Sequence, residues 1–175
     1  MPRSSIPMFP DLEHLGSASG FVEEILEVVK TLAPFEGFTA TECAALCEYM
    51  ECFGAPSSAS ILDENNPGDF LIVILTGRID VVKAYGENDK KIVAHVGPGG
   101  FVGEMSLVDG QRRFASCVTT EPTDFAVLTR GGLNEILVDH PRLGNKVLLI
   151  LLQLMTCRLR DATTRMLPTI VGASI

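Results

Sequence analysis

At 175 residues the chain has the length of one ordinary domain. A hydrophobic share of 46 % beside 21 % charged residues is a globular balance and excludes a disordered or collagen-like chain. The 14 Lys and Arg against 22 Asp and Glu leave a net charge of −8, the wrong sign for neutralising phosphates along a duplex, so no direct DNA binding is expected.

The acidic excess is lopsided: residues 1–52 hold 2 basic and 9 acidic side chains, residues 53–175 hold 12 and 13. An anion would be held in the later part. No stretch reaches the roughly 18 consecutive apolar residues of a membrane span, since Val147 to Leu152 is bracketed by Lys146 and Gln153. Residues 1–19, broken by Pro2, Pro7 and Pro10, lack the apolar centre of a secretory signal and read as a flexible lead-in. Cys43, Cys47, Cys52, Cys117 and Cys157, odd in number and irregularly spaced, suit a reducing, cytoplasmic compartment better than a disulfide framework.

Residues 20–175 read as one domain. Phe21, Ile25, Val28, Val29 and Leu32 form one helical stripe opposite Glu23, Glu24 and Glu27, predicting a helix over 21–33. Thr39 and Glu42 have the spacing of a capping box, and Cys43, Leu46, Cys47 and Met50 continue a helix to about Glu51. From Cys52 turn clusters arrive every ten to fifteen residues, with short β-branched runs between them at 70–75, 78–84, 91–96, 115–119 and 124–128. Antiparallel strands at this rhythm over 52–130 imply a sandwich, barrel or jelly roll. Helices return over 131–166: a short one near 133–139, then a long one from about Arg142 to Met166. Val147 to Leu152 is apolar on every side, so one face can cover the strands and another is left for a second molecule.

The segment Gly97 to Ser116, GPGGFVGEMSLVDGQRRFAS, carries the chemistry. A single helical turn after Gly103 would point free backbone N–H groups at one spot, an anion site by geometry and dipole. Arg113 can add a charge-assisted, bidentate contact to the same anion. Glu104 would repel a phosphate and is useful only as an acceptor from hydroxyls such as those of a ribose. Together these describe a site for a ribose phosphate.

This segment resembles the phosphate-binding cassette of cyclic-nucleotide-binding domains: Gly103, Glu104, Met105, Ser106, Leu107, a turn over Val108 to Arg112, then Arg113, Phe114 and Ala115. The likeness extends to the preceding helices, FLIVILTG at 70–77, GPGG at 97–100 and the final helices with Cys157-Arg158-Leu159-Arg160. It implies an α+β fold, mainly β: a jelly-roll β roll, or double-stranded β-helix, flanked by N-terminal helices and a long C-terminal helix. It also implies that Glu104 binds the ribose 2′-hydroxyl, Arg113 the cyclic phosphate, and amides near Gly103, Met105, Ser106 and Ala115 complete the site. A polar residue of the last helix would contact the purine; Thr163 and Thr164 fit by position, Arg158 less well.

Two positions depart from the family pattern. Arg112 stands where a proline is common, and Phe114 where Ala, Ser or Thr is usual. An inward Phe114 would narrow the site; strand alternation favours an outward ring, leaving only its N–H. The competing reading of Glu104 and Arg113 is a structural ion pair. Cys43 and Cys47 follow helical periodicity, and the set with Cys52 lacks a paired CxxC or a nearby His, so the three read as small hydrophobes rather than metal ligands. His14, His95 and His140 assemble no catalytic set.

The expected function is a non-enzymatic sensor of cyclic AMP or cyclic GMP, dimeric through 142–166 and acting on a separate effector protein. The 15 residues after Arg160 are too few for the DNA-binding domain of catabolite-activator relatives. The alternative is a ligand-free adaptor on the same fold, with Phe114 filling the pocket.

Overall fold

The nearly continuous apolar run at 70–75 requires a strand buried on both faces, and the fold supplies that environment. The computed structural model describes residues 8–30, 37–86 and 89–172, with side chains as far as residue 166. Among these residues two antiparallel sheets form. The first contains β1 (Glu13–Ser17), β2 (Met50–Ala55), β4 (Phe70–Ile74), β7 (Phe101–Val102) and β9 (Thr123–Thr129) in the order β1-β2-β9-β4-β7. The second contains β3 (Ser60–Leu62), β5 (Ile79–Tyr85), β6 (Asp89–Val96) and β8 (Ser116–Thr119) in the order β3-β8-β5-β6. The helices are α1 (Val22–Lys30), α2 (Ala40–Cys47), α3 (Glu104–Asp109), α4 (Arg130–Asp139) and α5 (Pro141–Gly172).

The first sheet is a middle layer. Leu71 and Val73 of β4 share one core with Ile25, Val29, Leu46, Ile136, Val147 and Ile150 of the helices. Ile72 and Ile74 face the opposite way, into a second core with Ile61, Ile79, Cys117 and Phe125. Strand alternation thus splits one apolar run between two cores. The result is the expected α+β architecture, a β roll with helices at both ends of the chain.

Three local expectations are corrected. The lead-in placed over 1–19 contains β1, which pairs with β2, while the Phe9 ring packs edge-on against Phe53, Phe70 and Phe125 at centroid distances of 5.0–5.5 Å. Residues 1–7 lie outside the described residues. The second helix ends at Cys47 rather than Glu51, although its Thr39–Glu42 capping box is formed. Met50 continues the helical period but is instead the first residue of β2, which pairs with β9 along all six of its residues. The last helix runs unbroken over 32 residues, longer than the expected 142–166. The end of the helix expected over 21–33 lies outside the described residues.

On α5, Leu143, Val147, Ile150 and Leu151 are buried against the middle sheet and helices, whereas Leu148, Leu149 and Leu152 are exposed. Residues 156–166 are exposed throughout. A helix of this length spans about 48 Å, so its distal half runs beyond the core that holds its first half.

Candidate functional site

Gly103 sets the local geometry. Its φ of 82° is left-handed, and it is the residue from which α3 starts without a side-chain cap. A β-carbon there would lie 2.6 Å from Nη1 of Arg113 and 3.0 Å from the carbonyl of Phe70, so both backbone conformation and crowding require glycine. The first amides of α3 have no cap from the Gly103 side and form the open end of the helical turn anticipated from sequence. At its other end Arg130 donates to the carbonyls of Leu107 and Ser106 at 2.9 and 2.6 Å, anchoring the turn to the end of β9.

Arg113 is 3 % exposed. Its Nη1 donates to the carbonyls of Phe70 and Gly103 at 2.8 and 2.9 Å, and the guanidinium lies over the Phe70 ring, 4.3 Å from the centroid. Its backbone is fixed by two hydrogen bonds of 2.9 Å with Asn65 and Asn66. Burial lowers its pKa from the ordinary arginine value. Among the described residues, Arg113 Nη2 is the buried side-chain polar atom with no hydrogen-bond partner. Such a donor typically costs about 1–3 kcal/mol unless a ligand satisfies it. Desolvation pushes the Cys117 thiol up to about 12, keeping it neutral.

Glu104 is 2 % exposed, and it does not pair with Arg113. Nη1 of Arg158, reaching back from α5, donates to Glu104 Oε1, and Nη2 of the same guanidinium donates to the Phe101 carbonyl. The two charged residues still share one corner, because Arg113 bonds the carbonyl immediately preceding Glu104. Ser106 and Ala115 are buried and Met105 is exposed. Phe114 is 58 % exposed, its ring under Lys83 Nζ at 4.3 Å, and that lysine also pairs with Glu64 at 2.6 Å. The ring therefore stands outside the corner.

Thr163 and Thr164 do not reach the corner: their hydroxyls donate to their own helix, to the carbonyls of Leu159 and Arg160. Two parts of the corner are not singled out by local sequence pattern: the turn at Asn65 and Asn66 that fixes the Arg113 backbone, and Arg158, which reaches the corner where Thr163 and Thr164 do not. The turn signal was present; the register of α5 was not readable. An apolar void of about 30 Å³ among Leu71, Val73, Phe101, Val147 and Ile150 is core space with no polar lining. Among the described residues no three His, Cys, Asp or Glu are grouped to hold a metal, and no helix is long and apolar enough to cross a membrane.

The corner therefore offers a buried guanidinium, uncapped amides and a buried carboxylate within one loop, a combination suited to a phosphate joined to hydroxyls. Comparison with known proteins agrees. The cyclic nucleotide-binding domain family model matches residues 55–140. A solved cyclic nucleotide-binding domain from Methylobacillus flagellatus is 48 % identical, with a TM-score of 0.84 covering 93 % of this chain and 92 % of that one. The CRP-like cAMP-activated global transcriptional regulator of Mycobacterium tuberculosis is 23 % identical over 71 % of this chain and 56 % of its own length. The cAMP-dependent protein kinase regulatory subunit of Aspergillus niger is 27 % identical over 67 % of this chain and 26 % of its own. The chain thus spans about half, or less, of these two curated relatives. Its near-complete match to the Methylobacillus domain, added to the cassette geometry, makes it a member of the cyclic-nucleotide-binding domain family.

Proposed function

We propose that this chain is a regulatory sensor that binds cyclic AMP or cyclic GMP between Glu104 and Arg113. Arg113 holds the cyclic phosphate, Glu104 accepts from the ribose, and the amides of Gly103, Met105, Ser106 and Ala115 line the anion. The unpartnered, buried Nη2 of Arg113 carries this reading, since a cyclic phosphate oxygen is the acceptor it lacks. The regulatory names of the curated relatives support a non-enzymatic role. Binding shifts the positions of α4 and α5 in a dimer joined through 142–166, and a separate effector protein reads that shift. Five cysteines without a disulfide support a cytoplasmic setting. The exposed ring of Phe114 weighs against the ligand-free adaptor, which needs that ring as a plug.

Titration calorimetry of the wild-type chain with each cyclic nucleotide tests the reading. Arg113→Ala is expected to weaken binding by about 2–5 kcal/mol, the usual cost of removing one partner of a buried charged contact. Equal heats from the wild type and this variant would reject the assignment.

A further inference from the structure

β8 starts at Ser116, so Phe114 and Ala115 precede the ladder that holds the rest of that strand. On their other side the Arg113 backbone is fixed by Asn65 and Asn66. The two residues between are anchored by a side chain of β5. The β5–β8 ladder ends at the pair Val82 and Ser116, and the next β5 residue, Lys83, donates from Nζ to the Phe114 carbonyl at 2.5 Å. The same ammonium is held by Glu64 Oε1 at 2.6 Å and lies over the Phe114 ring. Glu64 is itself fixed to both strands: Oε2 accepts from the Ala84 N–H, and its own N–H donates to Ser116 Oγ, both at 2.9 Å. A trans peptide group is planar, with its C=O and N–H pointing opposite ways. Holding the Phe114 oxygen therefore sets the direction of the Ala115 N–H, one of the amides assigned to the phosphate. A cationic donor on that oxygen also polarises the group and strengthens the N–H as a donor.

We infer that Lys83 is a positioning residue of the anion site: through the Phe114 carbonyl it aims the Ala115 amide at the phosphate. The inference rests on the proposed binding of a cyclic nucleotide. Because the link runs through the main chain, it survives loss of the Phe114 ring, which serves only as a second seat for the ammonium. Glu64 cancels the lysine charge locally, so Lys83 acts by direction and not as a further counter-ion to the ligand.

The test is calorimetry on the full chain with cyclic AMP and cyclic GMP, comparing wild type, Lys83→Met, Lys83→Arg and Lys83→Met added to Phe114→Ala. Methionine keeps the aliphatic stem and removes the donor, and is expected to weaken binding about tenfold, the scale of one hydrogen bond to a charged group. Lys83→Arg retains charge and donors and recovers most of the loss. In the Phe114→Ala background, Lys83→Met costs the same factor to within about twofold. Alanine-selective amide labelling gives a readout that needs no variant to fold: the Ala115 amide proton of the wild type is expected to move downfield when cyclic AMP is added. That movement shrinks in Lys83→Met at saturating nucleotide, whereas a general loss of stability would not single out this one amide. Binding by Lys83→Met within about twofold of wild type overturns the inference, as does an arginine variant no stronger than the methionine one. An effect that vanishes with the Phe114 ring overturns it too. A wild type that binds neither nucleotide defeats the functional reading and this inference together. A wild type that binds while its Ala115 proton stays in place defeats the inference alone.

Discussion

Gly68 lies flat against the guanidinium of Arg113: a β-carbon on Gly68 would overlap Nε, Cζ and Nη2 at once. Gly68 is outside the left-handed region, so alanine adds this collision without backbone strain. Arg113 has little room to retreat, being 3 % exposed and pinned by the Phe70 and Gly103 carbonyls. Gly68→Ala should therefore move the guanidinium and weaken cyclic AMP binding by roughly tenfold or more. The melting temperature should fall by only a few degrees, the usual response to about 1 kcal/mol. Calorimetry and a thermal melt on the same preparation separate the two effects, and undiminished affinity would show that Arg113 is not held by this turn.

Arg113→Lys keeps the charge and removes the fork. One ammonium cannot bond the Phe70 carbonyl, the Gly103 carbonyl and an anion along the directions that Nη1 and Nη2 now cover. Binding should fall nearly as far as in Arg113→Ala. A lysine variant within about threefold of wild type would mean that charge alone matters at this position.

Phe114→Ala addresses the rival account directly. The ring is exposed under Lys83 and contributes little to either core. Nucleotide affinity should stay within about twofold of wild type and stability within about 0.5 kcal/mol, as for other surface substitutions. A variant that gains binding absent from the wild type would identify the ring as a plug and favour the adaptor.

What could be read from sequence was local. Gly103 to Arg113 is one contiguous stretch whose glycines, helical turn and arginine need no distant partner to be interpreted. The Phe70 to Leu75 run announces a doubly buried strand, and Thr39 with Glu42 marks a helix start. What could not be read depends on pairing across the chain. β1 has Leu15 as its one large apolar residue and exists because β2 offers it an edge. Met50 fits a helical period and a strand equally, and the β9 ladder decides between them. Arg158 meets Glu104 across 54 residues, a contact set by the rotation of a long helix that no single sequence fixes.

Acid should loosen the attachment of α2 to α5. Lys146 donates to Glu42 Oε2 at 2.7 Å, and this bond, followed by those from Thr39, holds the Glu42 carboxyl below its ordinary pKa. A depressed carboxyl pKa stabilises the fold above the unfolded-state value and loses that contribution as pH falls through the folded-state value. Both side chains are about a third exposed, at 31 % and 32 %, so the contribution is no more than about 1 kcal/mol. Urea melts between about pH 7 and pH 3 should show a smaller acid-induced loss for Lys146→Met than for wild type. Parallel curves for the two proteins would remove the Lys146–Glu42 pair from the acid response.

The exposed side of α5 makes the last prediction. Leu148, Leu152, Met155, Leu159, Ala162 and Met166 recur at alternating steps of four and three, the heptad seam of a two-helix coiled coil. Leu152, Leu159 and Met166 are 61–67 % exposed in the single chain. A second copy of the same helix would bury this seam without disturbing Leu143, Val147 and Ile150, which face the core. Leu152→Glu combined with Leu159→Glu places like charges along the seam, so sedimentation velocity should change from dimer to monomer while far-ultraviolet circular dichroism retains the β roll. A wild type that sediments as a monomer at tens of micromolar, or a double variant that remains dimeric, would remove the seam from the assembly. Retained nucleotide affinity in the monomeric variant would further show that Glu104, Arg113 and Arg158 of one chain make a complete site.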